Sequence, residues 1–214
     1  MIKTIATYRK YDLPDYDLVT NNQSGRSFFV WHPDKTYIVL GQSNKTESSV
    51  NTDMAMADGV DILKRPSGGE AVILTPKTIV IAFISQQYEV KKPLDFFRNS
   101  NRKIIHALEA YPGIKGIHQR GISDLSVDNV KIAGSAIYRS REQLFYHMVL
   151  NVHEDISMID RYLLHPVREP DYRKGRRHSE FVTNLHQLGY PVSPVKLKLH
   201  FESVFQETSQ TISV

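Results

Sequence analysis

The chain has 214 residues, and its 27 Lys+Arg against 23 Asp+Glu leave a net charge of +4, a mild balance that favours an acidic partner. It contains no cysteine, which excludes disulfides, thiolate metal sites and any thioester-forming cysteine nucleophile. No apolar run approaches the roughly 20 residues that cross a bilayer, so no membrane partner is expected.

With 41% hydrophobic and 23% charged residues the chain can bury a sizeable core, and residues 1–214 are expected to form one domain. Met1-Ile2-Lys3-Thr4 lacks the apolar stretch and small-residue cleavage site of a secretory signal, which predicts a cytoplasmic location. Phe28-Phe29-Val30-Trp31 and Tyr37-Ile38-Val39-Leu40 are β-rich runs around the turn-like His32-Pro33-Asp34-Lys35, and together they predict a hairpin closed by Gly41. A second strand pair is expected to flank the glycines near residue 68, with residues 61–65 leading in and 78–84 leading out.

Residues 93–108 read as a helix, since Phe97, Ile104, Ile105 and Leu108 share one face. Pro93 suits its first turn and Pro112-Gly113 ends it. Strands are predicted at 130–134 and 145–150, joined to what precedes by an Asp128-Asn129 turn. Ser179 is expected to cap the last clear helix, which would line up Phe181, Leu185 and Leu188. The class is α+β: strands gathered in a central sheet, with helices as separate insertions.

Two segments carry chemistry. In Arg65-Pro66-Ser67-Gly68-Gly69-Glu70-Ala71-Val72, adjacent glycines permit positive φ and close backbone approach. Successive N–H groups there can cradle an anion, with Arg65 adding a guanidinium fork. The bland alternative is an ordinary Gly-Gly hairpin beside a surface arginine. In Asp124-Leu125-Ser126-Val127-Asp128-Asn129-Val130-Lys131-Ile132-Ala133-Gly134-Ser135-Ala136, a strand lysine stands among small residues that leave room for a ligand. Its bland alternative is a solvent-facing lysine on an edge strand.

Taken together, and in this order, the two segments resemble the lipoate–protein ligases of the biotin/lipoate ligase superfamily. Trp31, Val39-Leu40-Gly41-Gln42-Ser43, Asn51 and the downstream Tyr172-Arg173, Arg176, His178 and Phe181-Val182-Thr183-Asn184-Leu185 fit the same pattern, over residues 28–188. The resemblance implies a largely antiparallel mixed sheet flanked by helices, similar to the class II aminoacyl-tRNA synthetase core. It implies activation of lipoate, or a related medium-chain acid, by ATP with Mg²⁺, and transfer of the acyl group from the adenylate to a lysine of a carrier domain. Carried onto this sequence, the glycine loop lying along acid and phosphate is Arg65, Ser67, Gly68, Gly69, Ala71 and Val72. The family lysine that contacts carboxylate and α-phosphate is matched by Lys131, and the aspartate of the nucleotide-side segment by Asp124. Gly134, Ser135, Ala136 and His147 would line the site.

Glu70 and Leu74 depart from the family's third glycine and histidine, and three placements of Glu70 are open: turned away, paired with Arg65, or at a metal. The larger ligases carry a C-terminal accessory domain; only about 30 residues follow Leu185 here, so that domain is expected to be absent or supplied by a separate subunit. Residues 168–178 hold Arg168, Arg173, Lys174, Arg176 and Arg177, read equally as a solvated loop or a docking face for an acidic lipoyl-carrier domain. No nucleic-acid-binding pattern accompanies the charge, and the nine histidines lack metal-ligand spacing. Tyr8, Tyr11 and Tyr16 read as packing residues. Two rival functions stay open, a non-catalytic acyl-binding module and ATP-independent transfer of a preactivated acyl group.

Overall fold

A computed structural model describes residues 8–21, 27–86 and 92–211; the opening Met1-Ile2-Lys3-Thr4 lies outside the described residues. Arg9–Lys10 (β1), Tyr37–Leu40 (β3), Asp61–Lys64 (β4) and Val72–Leu74 (β5) make a small mixed sheet in the order β1-β4-β3-β5. Phe28–Trp31 (β2), Thr78–Gln86 (β6), Ile117–Arg120 (β7), Asp124–Val127 (β8), Val130–Arg139 (β9) and Gln143–Asn151 (β10) make a larger sheet, antiparallel throughout, in the order β2-β6-β10-β9-β8-β7. Short helices Asp17–Thr20 (α1), Thr46–Ser49 (α2), Thr52–Ala57 (α3), Ser157–Tyr162 (α5) and His178–Phe181 (α6) accompany two long ones, Pro93–Ala110 (α4) and Pro194–Thr211 (α7). The class is α+β, with a large antiparallel sheet flanked by helices.

Strand alternation divides the core between the two faces of the large sheet. Ile79, Ile81 and Phe83 of β6 and Tyr146, Met148 and Leu150 of β10 pack under Phe97, Ile104 and Leu108 of α4 and Leu197, Phe201 and Phe205 of α7. On the opposite face Val80 and Val149 meet Val39, Leu63 and Leu74 of the small sheet. Buried on both faces, β6 is apolar along most of its length rather than alternating. Among the described residues no helix is long and apolar enough to cross a membrane.

Three sequence expectations change. Residues 28–31 and 37–40 are not a hairpin: β2 pairs with β6 in the large sheet, while β3 lies between β4 and β5 in the small one. All four residues of β3 are buried, so it is a central strand, and the turn at 32–35 carries the chain from one layer to the other. The strand pair expected around the glycines does not form either: residues 61–64 are β4, beside β3 in the small sheet, whereas residues 78–86 are β6 of the large sheet, and the strand that follows the glycines directly is β5. Ser179 is not a cap but a residue of α6, whose N-cap is Arg177, and the last helix is α7. Its start is marked by Ser193, whose Oγ accepts from the Lys196 N–H at 3.2 Å ahead of the Leu197/Phe201/Phe205 stripe. Helix α4 and the β8–β9 hairpin form where expected, with Asp128 at φ +49 in its turn, while β9 runs past the expected end at 134 to Arg139 before the chain returns as β10.

Candidate functional site

Because β4 and β5 lie on opposite sides of β3, residues 65–71 must cross over the end of β3. Gly69 makes the bend at φ +89, a conformation that favours glycine. The crossing passes so close to Gly41 that a Cβ there would overlap the Gly69 carbonyl oxygen. The turn's carbonyls are taken up within the protein. Ser67 O accepts from Gln42 N–H at 2.9 Å, and the carbonyls of Gly68 and Glu70 accept from Arg65 Nη2 at 2.7 and 2.9 Å. Among the described residues, the N–H groups of 67–71 donate to no protein acceptor. Ser67 is buried but Gly68 and Gly69 are exposed, so the donors of the bend itself are open to an anion.

Arg65 does not present the fork that its sequence context suggested. It is 5% exposed, its Nη1 donates to Val39 O at 3.1 Å, and its Nη2 holds two carbonyls of the turn. Inward-pointing carbonyls in a buried crossing need donors, and the guanidinium supplies them. Burial pushes its pKa down to about 10, partly offset by Tyr11 and Glu70, so it stays charged at neutral pH. The Glu70 carboxylate pairs with neither Arg65's side chain nor a metal-ligand cluster. Its Oε2 accepts from Asn44 Nδ2 at 3.1 Å, and Asn44 Oδ1 accepts from Gly41 N–H at 2.8 Å.

Beneath the turn, a buried polar chain ties it to the large sheet. Ser67 Oγ lies 2.6 Å from His147 Nε2, His147 Nδ1 lies 3.2 Å from Asp15 Oδ2, and Asp15 Oδ1 accepts from Tyr11 Oη at 2.7 Å. Asp15 and Ser67 are essentially inaccessible, and burial lowers the His147 pKa more than Asp15 raises it, so the ring is neutral at pH 7. A carboxylate accepts only, so Nδ1 carries the proton, Nε2 is bare, and the Ser67 hydroxyl donates to it. Asp15 was invisible in the sequence: it stands 132 residues from His147. Of the three tyrosines read as packing residues, Tyr11 is buried and also joins this chain, Tyr16 packs, and Tyr8 is half-exposed over Lys64.

Lys131 reaches the same face by a break in alternation. Simple counting from Gly134 would send it into the core with Ala133. The β8–β9 register slips between Leu125↔Ala133 and Ser126↔Lys131, so Ile132 is a bulge residue. Ile132 and Ala133 both enter the core, and Lys131 is turned onto the face of Gly134. Its side chain then lies across Gly134, where an added Cβ would stand 2.8 Å from Nζ. Asp124 Oδ1 holds the amine at 2.8 Å and also accepts from Ser123 Oγ at 3.1 Å, while Tyr172 Oη donates to Oδ2 at 3.0 Å. On the strand's other side Thr183 N–H donates to Lys131 O at 2.8 Å.

Register brings the two halves together. Gly134 faces Val149 and Ala136 faces His147 across β9–β10, so the lysine and the Ser67 anchor stand one alternation apart, roughly 7 Å along the strand. Two expected lining residues have other surroundings. Ser135 points the other way, its Oγ donating to Ser123 O at 2.8 Å beside Asn101 of α4, and Val72 sits in β5 opposite Val39. Asn51 is the N-cap of α3. In the basic segment, Arg173 is buried against Arg176 O, and Arg176 donates to the carbonyls of Asn129, Tyr172, Arg173 and Glu180. Only Arg168, Lys174 and Arg177 of its five cations are exposed, because the loop's carbonyls need the other two.

The arrangement sets a lysine amine over Gly134 and a turn whose N–H groups lack protein acceptors against the same face of the large sheet. No group of three or more metal-ligating side chains exists among the described residues. A model of the lipoyl protein ligase A/B catalytic domain matches residues 13–206. The chain is 30% identical over 151 residues to lipoate-protein ligase A of Blochmanniella pennsylvanica, an alignment covering 68% of this chain and 41% of that protein. It thus spans less than half the length of that curated relative. A structure from an archaeal lipoylation system, a bi-partite lipoate protein ligase and its E2 lipoyl domain from Thermoplasma acidophilum, superposes with a TM-score of 0.75 at 18% identity, over 95% of this chain and 84% of that one. A lipoate-protein ligase A bound with ATP gives 0.72 at 17% identity, over 96% and 86%.

Proposed function

Because the chain belongs to the lipoyl protein ligase A/B catalytic-domain family, we propose that it activates lipoate, or a related medium-chain acid, with ATP and passes the acyl group to a carrier-domain lysine. The observation that carries the reading is the bulge that lays Lys131 over Gly134, on the sheet face to which Ser67 of the glycine turn is bonded.

In the first half-reaction the acid's carboxylate oxygen attacks the α-phosphorus, an O–P bond forms, and pyrophosphate leaves. Negative charge gathers on the phosphate oxygens, where the free N–H groups of 68–71 and the Lys131 ammonium would receive it without reorganising. In the second half the carrier's amine attacks the acyl carbonyl, the C–N bond forms, AMP leaves, and the amine gives up a proton. Lys131 and Asp124 would hold the carbonyl end, and proximity supplies much of the rate. Mg²⁺ binds through one or two carboxylates plus phosphates, which fits a cation carried on the triphosphate; Glu70 Oε1 at the turn has no hydrogen-bond partner among the described residues.

For partners, the T. acidophilum neighbour is a bi-partite lipoate protein ligase with an E2 lipoyl domain, and by analogy we infer a carrier-domain acceptor and a separate accessory subunit for this chain. Arg168, Lys174 and Arg177 offer an exposed basic edge for an acidic carrier. The test is lipoate-dependent exchange of labelled pyrophosphate into ATP, with the accessory candidates present, comparing wild type with K131A. Exchange lost in the variant is expected; exchange absent from both would favour a binding module. The same assay with octanoate fixes the acid.

A further inference from the structure

Glu70 stands where local chemistry argues against it: an acidic side chain on a turn whose free N–H groups are set to receive an anion. It is not turned off into solvent. Asn44 Nδ2 holds its Oε2 at 3.1 Å, and Asn44 is itself fixed by Gly41 N–H and by Lys64 Nζ, which donates to Asn44 O at 3.0 Å. A carboxylate so placed lies within about one screening length, roughly 8 Å at physiological ionic strength, of the donors one and two residues before it.

The charges bonded into the turn and its sheet face pair off. Among the described residues bonded into the turn and its sheet face, Lys64, Arg65 and Lys131 are cations and Asp15, Glu70 and Asp124 carboxylates, with His147 neutral. Asp124 and Lys131 neutralise each other in contact, and Arg65 is enclosed beneath the turn. The N–H groups therefore offer directional bonds in a nearly neutral field. Such a cradle suits one phosphate with one charge and gains little from further negative charge.

We propose that Glu70 acts as a charge filter on the glycine turn, favouring the singly charged phosphate of an acyl-adenylate over the triphosphate of uncomplexed ATP. The inference rests on the ligase reading, because it takes the turn to be the phosphate site. It makes the chain a comparatively poor binder of free ATP, and its preferred cargo the activated acyl group.

The test measures equilibrium binding of AMP, ADP and ATP, with a chelator and at low ionic strength, to wild type, E70Q and E70A. Gln keeps an oxygen for Asn44 and removes only the charge; Ala removes both. If the carboxylate acts by field, E70Q tightens ATP by roughly tenfold and AMP by only about two- to threefold, and the gap shrinks at high salt. E70A gives the same ordering. An equal change for all three nucleotides, or none, overturns the filter and leaves the ligase reading standing. If neither wild type nor variants bind any of the three, or lipoyl-adenylate, the ligase reading falls and the filter with it.

Discussion

Ser67 Oγ and His147 Nε2, 80 residues apart in sequence, meet at 2.6 Å and join the glycine turn to the middle of the large sheet. The contact is polarised by Asp15, which fixes the histidine tautomer from the far side. Replacing Asp15 with Asn leaves a group that can donate as well as accept at Nδ1, so the direction of the Ser67 hydroxyl is no longer set. D15N is expected to cost about 1–3 kcal/mol by urea unfolding, the usual range for a disrupted buried hydrogen bond, and to lower pyrophosphate exchange. An unchanged midpoint and exchange rate would show that the chain from Tyr11 to Ser67 is incidental.

At Gly134, activity and stability should separate. An alanine Cβ there would stand 2.8 Å from Lys131 Nζ and 2.9 Å from its Cε, both at the far end of a flexible side chain. The lysine can swing aside cheaply, so G134A should unfold within about 1 kcal/mol of wild type. Yet displacing an aimed cation should cost on the order of 10²-fold in exchange. A variant that keeps full activity would mean that Lys131 does not work from its position over residue 134.

Gly41 should behave in the opposite way. Its added Cβ meets the backbone of Gly69 rather than a mobile tip, so the turn and the end of β3 must part. G41A is expected to lose about 1–3 kcal/mol or more, read from denaturant midpoints, with the loss of exchange following from the damaged turn. Wild-type stability in G41A would contradict the crossing geometry.

Stability should fall in mild acid. Burial lowers the pKa of both His147 and His178, so each binds its proton less readily folded than unfolded. Their contribution is therefore present above the unfolded histidine value near pH 6.5 and is lost as pH drops below it toward the folded values. Thermal melts between pH 8 and pH 5 should show this decline, and H147Q should flatten it. A flat profile in the wild type would place both rings in far wetter surroundings.

Much of this was written locally and could be read. The helix starting at Pro93 announces itself by its 3.6-residue stripe, and the Asp128-Asn129 turn by its dipeptide. What escaped depends on contacts between distant segments. The sequence around 28–40 is consistent with a hairpin, and only the burial of β3 on both faces shows that its neighbours come from elsewhere. Arg65 looked like an anion binder because the three carbonyls it serves, those of Val39, Gly68 and Glu70, are brought to it only by the crossing itself. Ser135 and Gly134 are adjacent, so alternation alone required one of them to leave the site. For Lys131 alternation would have pointed the wrong way; the bulge at Ile132 has no composition signal beyond two consecutive apolar residues.

The glycine turn is fastened to one layer through Ser67 and to the other through Arg65 and Gln42. It works as a rivet through a laminate, and the height of its donors is set by how far apart the two plies sit. Resizing residues in the seam between them, such as Leu63 or Leu74, would therefore retune anion affinity from a distance, although neither side chain belongs to the turn.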